Sequence, residues 1–269
     1  MRTLAIGVAV IVALVAANSL AAETCPFEKW QSYKGTQLYR NAPSGAYFYA
    51  TERAAVDADG APNAYHPDDV GKPCGASGAG LDCPGNAGFP GTSWWPTVLA
   101  RDPAQPSKGY VQPDGPNKGF FVSKTALTDP SNASDIDPSR YVDSTTVPYL
   151  VFPGPFNSLK GTGGLGDVGV AYHTATNKWT PFIVADIGPP DPLGESSIAL
   201  LKSLGGTDPN PRNGSGVAAG KVMYIVFPYS VKNRSIRWPA TNQEIADQAN
   251  SLLNELGGPG IFQSCSGME

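Results

Sequence analysis

The chain has 269 residues, of which 41% are hydrophobic, 10% aromatic and 16% charged, with a formal net charge of −4. Its 31 glycines and 26 prolines amount to about a fifth of the residues against roughly 12% in average usage. That excludes a coiled coil or helical bundle, because each such residue costs a helix interior about 1–3 kcal/mol. The negative charge and the absence of a basic stretch argue against nucleic-acid binding.

Residues 1–21 read as a secretory signal. Arg2 supplies the positive start, Leu4 to Val15 is an apolar run interrupted only by Gly7, and Ser19-Leu20-Ala21 offers a small-x-small cleavage site. The run is too short for a membrane span, which needs about 20 residues, so export without an anchor is expected. Cleavage after Ala21 removes Arg2 and no acid, which makes the mature chain, 22–269, slightly more negative. No linker divides it, and it reads as a single domain.

Export permits disulfides. The four cysteines, Cys25, Cys74, Cys83 and Cys265, allow three connectivities. The most economical is Cys74–Cys83, closing a Gly-rich loop, with Cys25–Cys265 tying the two ends. Zinc is disfavoured, since its ligands usually come in pairs two to four residues apart.

Strand-like runs follow in order at Ala46–Ala50, Gly119–Thr125, Val147–Phe152, Val168–Thr174, Trp179–Asp186 and Lys221–Phe227. Long Pro/Gly/Asp-rich loops separate them at 67–93, 102–118 and 128–140, and loops of this length usually carry function or line a cleft. Glu195 to Leu204 reads as a short helix stopped by Gly205. Thr241-Asn242-Gln243-Glu244 is a capping box opening a second helix to Leu256. Six strands, two helices and no βαβ alternation suggest a mainly β, closed structure with peripheral helices.

Several motifs lead nowhere. Gly161-Thr162-Gly163-Gly164-Leu165-Gly166 fits a dinucleotide fingerprint, but a strand-like alternation follows it where a helix is required. Asp57-Ala58-Asp59-Gly60 starts like a calcium loop, yet its glycine comes too early. No metal site is read from the sequence. There is no G-x-S-x-G, so serine hydrolysis has little support.

The informative stretch runs from Trp179 to Ser197. An apolar strand delivers Asp186 at its end, a rigid Pro/Gly turn follows, and Glu195 sits where a helix is expected to begin. Two acids on the rim of a groove are what glycosidic hydrolysis requires, one donating a proton to the leaving oxygen and the other activating water or attacking the sugar. Spacing alone also allows a plain reading, with Asp186 as a turn former and Glu195 as a first-turn acid favoured by the helix dipole.

Val184-Ala185-Asp186-Ile187-Gly188-Pro189, with Gly194-Glu195-Ser196-Ser197, resembles the signature of the family 75 glycoside hydrolases, the chitosanases best known from fungi. Val56 to Gly60, Phe121 to Leu127, and Tyr141-Val142-Asp143 with Val147-Pro148-Tyr149 are similar to that family's other blocks, in the same order. The resemblance covers roughly 45–228. It implies a single catalytic domain that hydrolyses β-1,4 glucosamine linkages of chitosan internally and with inversion, with the two catalytic carboxylates on Asp186 and Glu195. The Asp-x-Gly turn also resembles double-psi β-barrels, so the expected fold is a six-stranded double-psi-like barrel with a few peripheral helices and long loops.

Chitosan carries ammonium groups, and an acidic groove should bind it. Asp57, Asp59, Asp167 and Asp191 are the candidate acids, each able to hold an ammonium by a charge-assisted hydrogen bond. Tyr65 and Trp95, in loops, are the candidate stacking rings among six exposed-loop or strand aromatics that include Trp94 and Trp179. Which of Asp186 and Glu195 is the acid stays open, because an apolar neighbourhood raises the proton affinity of Glu195 while a helix N-terminus lowers it. No cofactor is needed, and the protein is expected to act as a monomer. Two alternatives remain: a peptidoglycan lytic transglycosylase-like enzyme, which can run on one acid, and a non-catalytic polysaccharide-binding, wall-loosening protein.

Overall fold

The computed structural model describes residues 24–233 and 237–268, and the secretory signal read at 1–21 lies outside them. Nine strands form one mixed sheet: β1 Glu28–Tyr33, β2 Thr36–Arg40, β3 Tyr47–Thr51, β4 Ala55–Asp57, β5 Tyr149–Pro153, β6 Val168–His173, β7 Lys178–Gly188, β8 Glu195–Ser197 and β9 Val222–Phe227. Their spatial order is β1-β2-β3-β9-β6-β7-β5-β8-β4. The pairs β5·β7 and β4·β8 are parallel, and the other pairings are antiparallel.

This sheet is mainly β as expected, but its order runs between two edges, β1 and β4, and it does not close into the six-stranded barrel. Four strands outside the expected set extend it. β1 and β2 form a hairpin turned by Lys34 and Gly35, both at positive φ (45° and 86°), the twist that suits a two-residue hairpin turn. β4 and β8 are three residues each and pair with one another. The run Gly119–Thr125 is no strand. Its backbone bonds alternately to two loop segments, Ala100 N–H to Val122 O and Val122 N–H to Tyr110 O, so only isolated bridges result.

Five short α-helices decorate the sheet: α1 Gly154–Asn157, α2 Ile198–Ser203, α3 Ser230–Asn233, α4 Asn242–Glu255 and α5 Ile261–Cys265. The capping box at Thr241 forms, with Glu244 accepting from the Thr241 backbone and the Thr241 hydroxyl accepting from Glu244 N–H. Ile245, Ala249 and Leu253 of α4 and Phe262 of α5 cover one sheet face over Phe48, Val170, Ile183 and Ile225. The opposite face buries Tyr47, Tyr49, Phe152, Val184 and Tyr224 against Leu200 and Leu204. Every residue of β9 is buried, which is the uniform apolar pattern of a strand covered on both faces. A third cluster, Ala58, Ala61, Tyr65, Trp95, Leu99 and Phe121, anchors the long loops.

Cys25 is joined to Cys265 and Cys74 to Cys83, the pairing read as most economical. The first closes 240 residues and the second nine. Because a longer loop loses more chain entropy when closed, the Cys25→Ser/Cys265→Ser variant should lose about 3–5 kcal/mol of unfolding free energy, and the Cys74→Ser/Cys83→Ser variant less. Urea unfolding of the two variants checks this; the reverse ranking would contradict it.

Candidate active site

A register shift sets the direction of Asp186. Along the parallel pair, Tyr149 faces Ile183 and Leu150 faces Val184, but Val151 faces Asp186, so Ala185 is skipped. The bulge turns Asp186 onto the side of Val151 and Ile183 instead of leaving it with Val184, and bulges commonly re-aim side chains in this way. Asp186 is nevertheless only 7% exposed. One of its oxygens, Oδ1, accepts two backbone N–H bonds, from Ala126 and from Ile187, both at 2.8 Å.

Glu195 arrives from another direction. It opens β8, with Ala55 of β4 as its parallel partner, and the helix expected to start at Glu195 begins only at Ile198, capped by Ser197. The dipole of that helix is therefore displaced from the Glu195 carboxyl. Gly194, at φ 112°, makes the close turn into β8, where a Cβ would collide with the Arg53 carbonyl. A Cβ on Gly188 would lie 3.3 Å from Glu195 Oε2, so the Glu195 carboxyl stands over the bare backbone of Gly188. Gly188 is two residues beyond Asp186 on the same strand, and that step spans about 7 Å.

Beside this pair lie two further acids. Asp57 Oδ1 accepts from Asp59 N–H at 2.8 Å and its Oδ2 from the Tyr149 hydroxyl at 2.9 Å. Asp59 Oδ1 accepts from the Tyr65 hydroxyl at 2.7 Å. Gly60 keeps the turn tight at φ 74°, with its N–H donating to Ser123 Oγ at 3.0 Å. Asp57, Asp59 and Asp186 bring oxygens within 4.8 Å of one another, an all-oxygen set of the kind that hard cations accept. Burial pushes the proton affinity of all three up, and for Asp59 and Asp186 the neighbouring Asp57 charge adds to it. Each of the three therefore holds its proton more tightly than a free carboxyl does.

These groups line one cleft of about 650 Å³. Of the expected residues, Asp57, Asp59, Tyr65, Asp186, Asp191 and Glu195 all border it. Tyr65 does so as a buried hydroxyl donor rather than as a stacking ring. Asp191 stands at the rim, 3.6 Å from Arg53. Lys34 donates to the Pro190 carbonyl and Arg53 to that of Pro192, which fastens the 189–194 turn.

Two expected residues are elsewhere. Trp95 packs in the loop core against Phe89, with Arg101 over its ring. Its neighbour Trp94, 47% exposed, is the ring that borders the cleft. Asp167 is outside the cleft lining, and its carboxylate accepts from the N–H groups of Gly164, Tyr229 and Val231, which ties the 161–167 turn to α3. It is a turn clamp.

Asp82 and Asn86 also border the cleft and were missed in the sequence. They sit within a loop whose composition signals only flexibility. The Cys74–Cys83 bridge and Arg212 hold it: the Arg212 guanidinium donates to Gly80 O at 2.9 Å and Asp82 O at 3.1 Å, and pairs with Asp69. The Asp82 carboxyl accepts from Cys83 N–H and Asn86 Nδ2, and burial raises its pKa to about 6.

No protein-family model and no curated protein matches this chain. The arrangement itself supports proton transfer. Burial, then the charge on Asp57, raises Glu195 from 4.5 to about 7 against the opposing pull of Arg53. Asp186 is likewise pushed well above the ordinary carboxylate value, by burial and then by the Asp57 charge, and the Ala126 and Ile187 amides on its Oδ1 oppose that shift without reversing it. One group can hold a proton while its neighbour accepts one.

A carboxyl that binds protons more tightly in the folded chain costs stability as pH rises, because the unfolded chain releases its proton first. For Glu195 the window is 4.5 to about 7 and for Asp82 it is 3.8 to about 6. Unfolding free energy should therefore fall as pH climbs from 4 to 7, with Glu195 alone contributing up to about 3 kcal/mol. Urea unfolding at stepped pH, on the wild type and on Glu195→Gln, measures it. The variant should show a shallower slope, and an identical slope would refute the assignment.

Proposed function

We propose that this chain is an exported, endo-acting chitosanase that hydrolyses β-1,4 glucosamine linkages with inversion, acting as a monomer and without a cofactor. The observation that carries the reading is the pair Asp186 and Glu195, set about two strand residues apart over one cleft and in unequal surroundings. Inverting glycosidases hold their carboxyls about 6.5–9.5 Å apart, leaving room for water, against about 5–5.5 Å for retaining ones. The anomer released first reads which of these separations the Asp186 and Glu195 carboxyls adopt. The resemblance of residues 184–197 to the family 75 hydrolases supports the same reading. Two disulfides, and no helix among the described residues long and apolar enough to cross a membrane, are compatible with export.

In this mechanism Glu195 is the acid. Protonated up to about pH 7, it gives its proton to the glycosidic oxygen as the bond to the anomeric carbon breaks. In its ionised form Asp186, whose Oδ1 accepts from the Ala126 and Ile187 amides, takes a proton from the water that attacks the opposite face. Asp57, Asp59, Asp82 and Asp191 make the cleft acidic, with Arg53 the one cation among its described lining residues. Such a field attracts a polysaccharide that bears ammonium groups. Trp94 offers a ring face to a sugar.

A purely binding protein would want several exposed rings in a row, whereas Trp94 is the large exposed aromatic of this cleft. The double-psi-like reading of the inner strands belongs to the same proposal. Its supports are the parallel pairs β5·β7 and β4·β8 and the Asp57–Gly60 turn.

Incubation with soluble chitosan at mildly acidic pH should release reducing ends, and the new anomers observed early by NMR should be inverted. Glu195→Gln and Asp186→Asn should each lower the rate about 10²–10⁴-fold. Activity should fall as pH passes about 7, where Glu195 loses its proton. Retention of configuration would exclude inversion. Full activity in both variants would end the proposal, and loss in Glu195→Gln alone would favour the single-acid transglycosylase.

A further inference from the structure

The cleft continues past Asp186. Thr97, Asp186 and Ile187 also border a second depression of about 410 Å³, so the two form one groove with Asp186 at its waist. The halves differ in charge. The Glu195 half sets Asp57, Asp59, Asp82 and Asp191 against Arg53. The other half sets Lys124 and Arg140 against Asp135.

In that second half the one acid besides Asp186 at the waist is already matched, since Asp135 Oδ1 lies 3.5 Å from Arg140 Nε. Arg140 also donates to the Asn132 carbonyl, within its own loop. Lys124 has no carboxylate within ion-pair range among the described residues. Its Nζ donates to the Pro96 carbonyl at 3.1 Å, which uses one of three ammonium donors. A glucosamine ammonium has no acceptor to offer Lys124 and is repelled by it. An N-acetyl group is uncharged and presents a carbonyl oxygen that Lys124 can bind.

Resting on the chitosanase reading, we infer that the two halves select opposite sugars. The Glu195 half takes glucosamine and the Lys124 half takes N-acetylglucosamine, so that in partly acetylated chitosan the preferred bond joins one of each. Lys124 is the specificity-determining residue.

Brief digestion of half-acetylated chitosan, with NMR counting of the sugars at new reducing and new non-reducing ends, tests this. One kind of new end should be enriched in N-acetylglucosamine and the other should be almost wholly glucosamine. One screened charge shifts such a preference about threefold, so Lys124→Gln should reduce the enrichment by that factor and Asp135→Asn should increase it. Equal acetyl content at both ends, or no change in either variant, overturns the inference and leaves the hydrolase reading intact. Absence of any new ends overturns the hydrolase reading. The inference is then judged by calorimetry on the wild type and Lys124→Gln: a glucosamine hexamer with one N-acetyl group should bind the wild type more tightly than the fully deacetylated hexamer and lose that advantage in the variant. Equal affinities would overturn it.

Discussion

Crowding of carboxylates at one end of a buried sheet is the constraint on which the rest of this molecule depends. Taking an acid out of water is costly unless donors, a cation or a proton compensates it. Around Asp57, Asp59 and Asp186 the donors are backbone amides and the hydroxyls of Tyr65, Tyr149 and Ser123, and among the described residues no lysine or arginine makes an ion pair with any of the three. Burial without a cation is why all three bind their protons more tightly than free carboxyls. That condition is unfavourable for folding and useful for acid–base chemistry, and it accounts for the surrounding loops. Residues 57–60, 82–86 and 123–127 exist here largely as holders of donors.

Those loops are long, and their rigidity comes from fastenings spread along them. Arg212 reaches from beyond β8 to four residues of the 69–83 loop, Asp69, Ala76, Gly80 and Asp82. Asp69 there is wholly buried, and despite that desolvation the Gly80 and Ala79 amides with Lys72 and Arg212 hold its carboxyl well below the usual carboxylate range. The Cys74–Cys83 bridge lies beside the same segment. Asp82 is thereby fixed at the cleft although its loop has no regular structure. The opposite wall, the 189–194 turn, depends on Lys34 and Arg53 for its carbonyls. The sheet supplies the floor, and side-chain cations bonded to backbone carbonyls supply the walls.

Much of the floor was legible in the sequence. The run Lys221–Phe227 is apolar after its lysine, and a capping box states where α4 begins. What escaped has local causes. β4 and β8 are three residues each, too short for any periodicity, and β8 forms because β4 and β5 lie on either side of it. Gly119–Thr125 alternates like a strand, yet alternation reports burial of one face and says nothing of whether a continuous partner is present. Trp94 and Trp95 are adjacent in a loop, where no period decides which one faces out. Asp167 looked like a ligand because acids in Gly-rich turns always do; its partners, the amides at 229 and 231, are some 60 residues away in sequence.

The division of labour between the two central acids is likewise a property of the fold. In the sequence Glu195 sits in conflict, apolar residues following it and a helix start beside it. The fold removes the conflict by inserting β8: the helix waits until Ile198, its Leu200 N–H donates to the Ser197 hydroxyl and its Ala199 N–H to the Ser144 carbonyl, and Glu195 is left with burial and the charge on Asp57 as its main influences. At Asp186 burial and the Asp57 charge act in the same direction, and the bulge that skips Ala185 brings its oxygen onto the Ala126 and Ile187 amides, which oppose them. A strand three residues long and a single skipped residue thus bring two carboxyls of raised proton affinity to one cleft with different donors around each, and a site of that kind can hold a proton on one group while another takes one up.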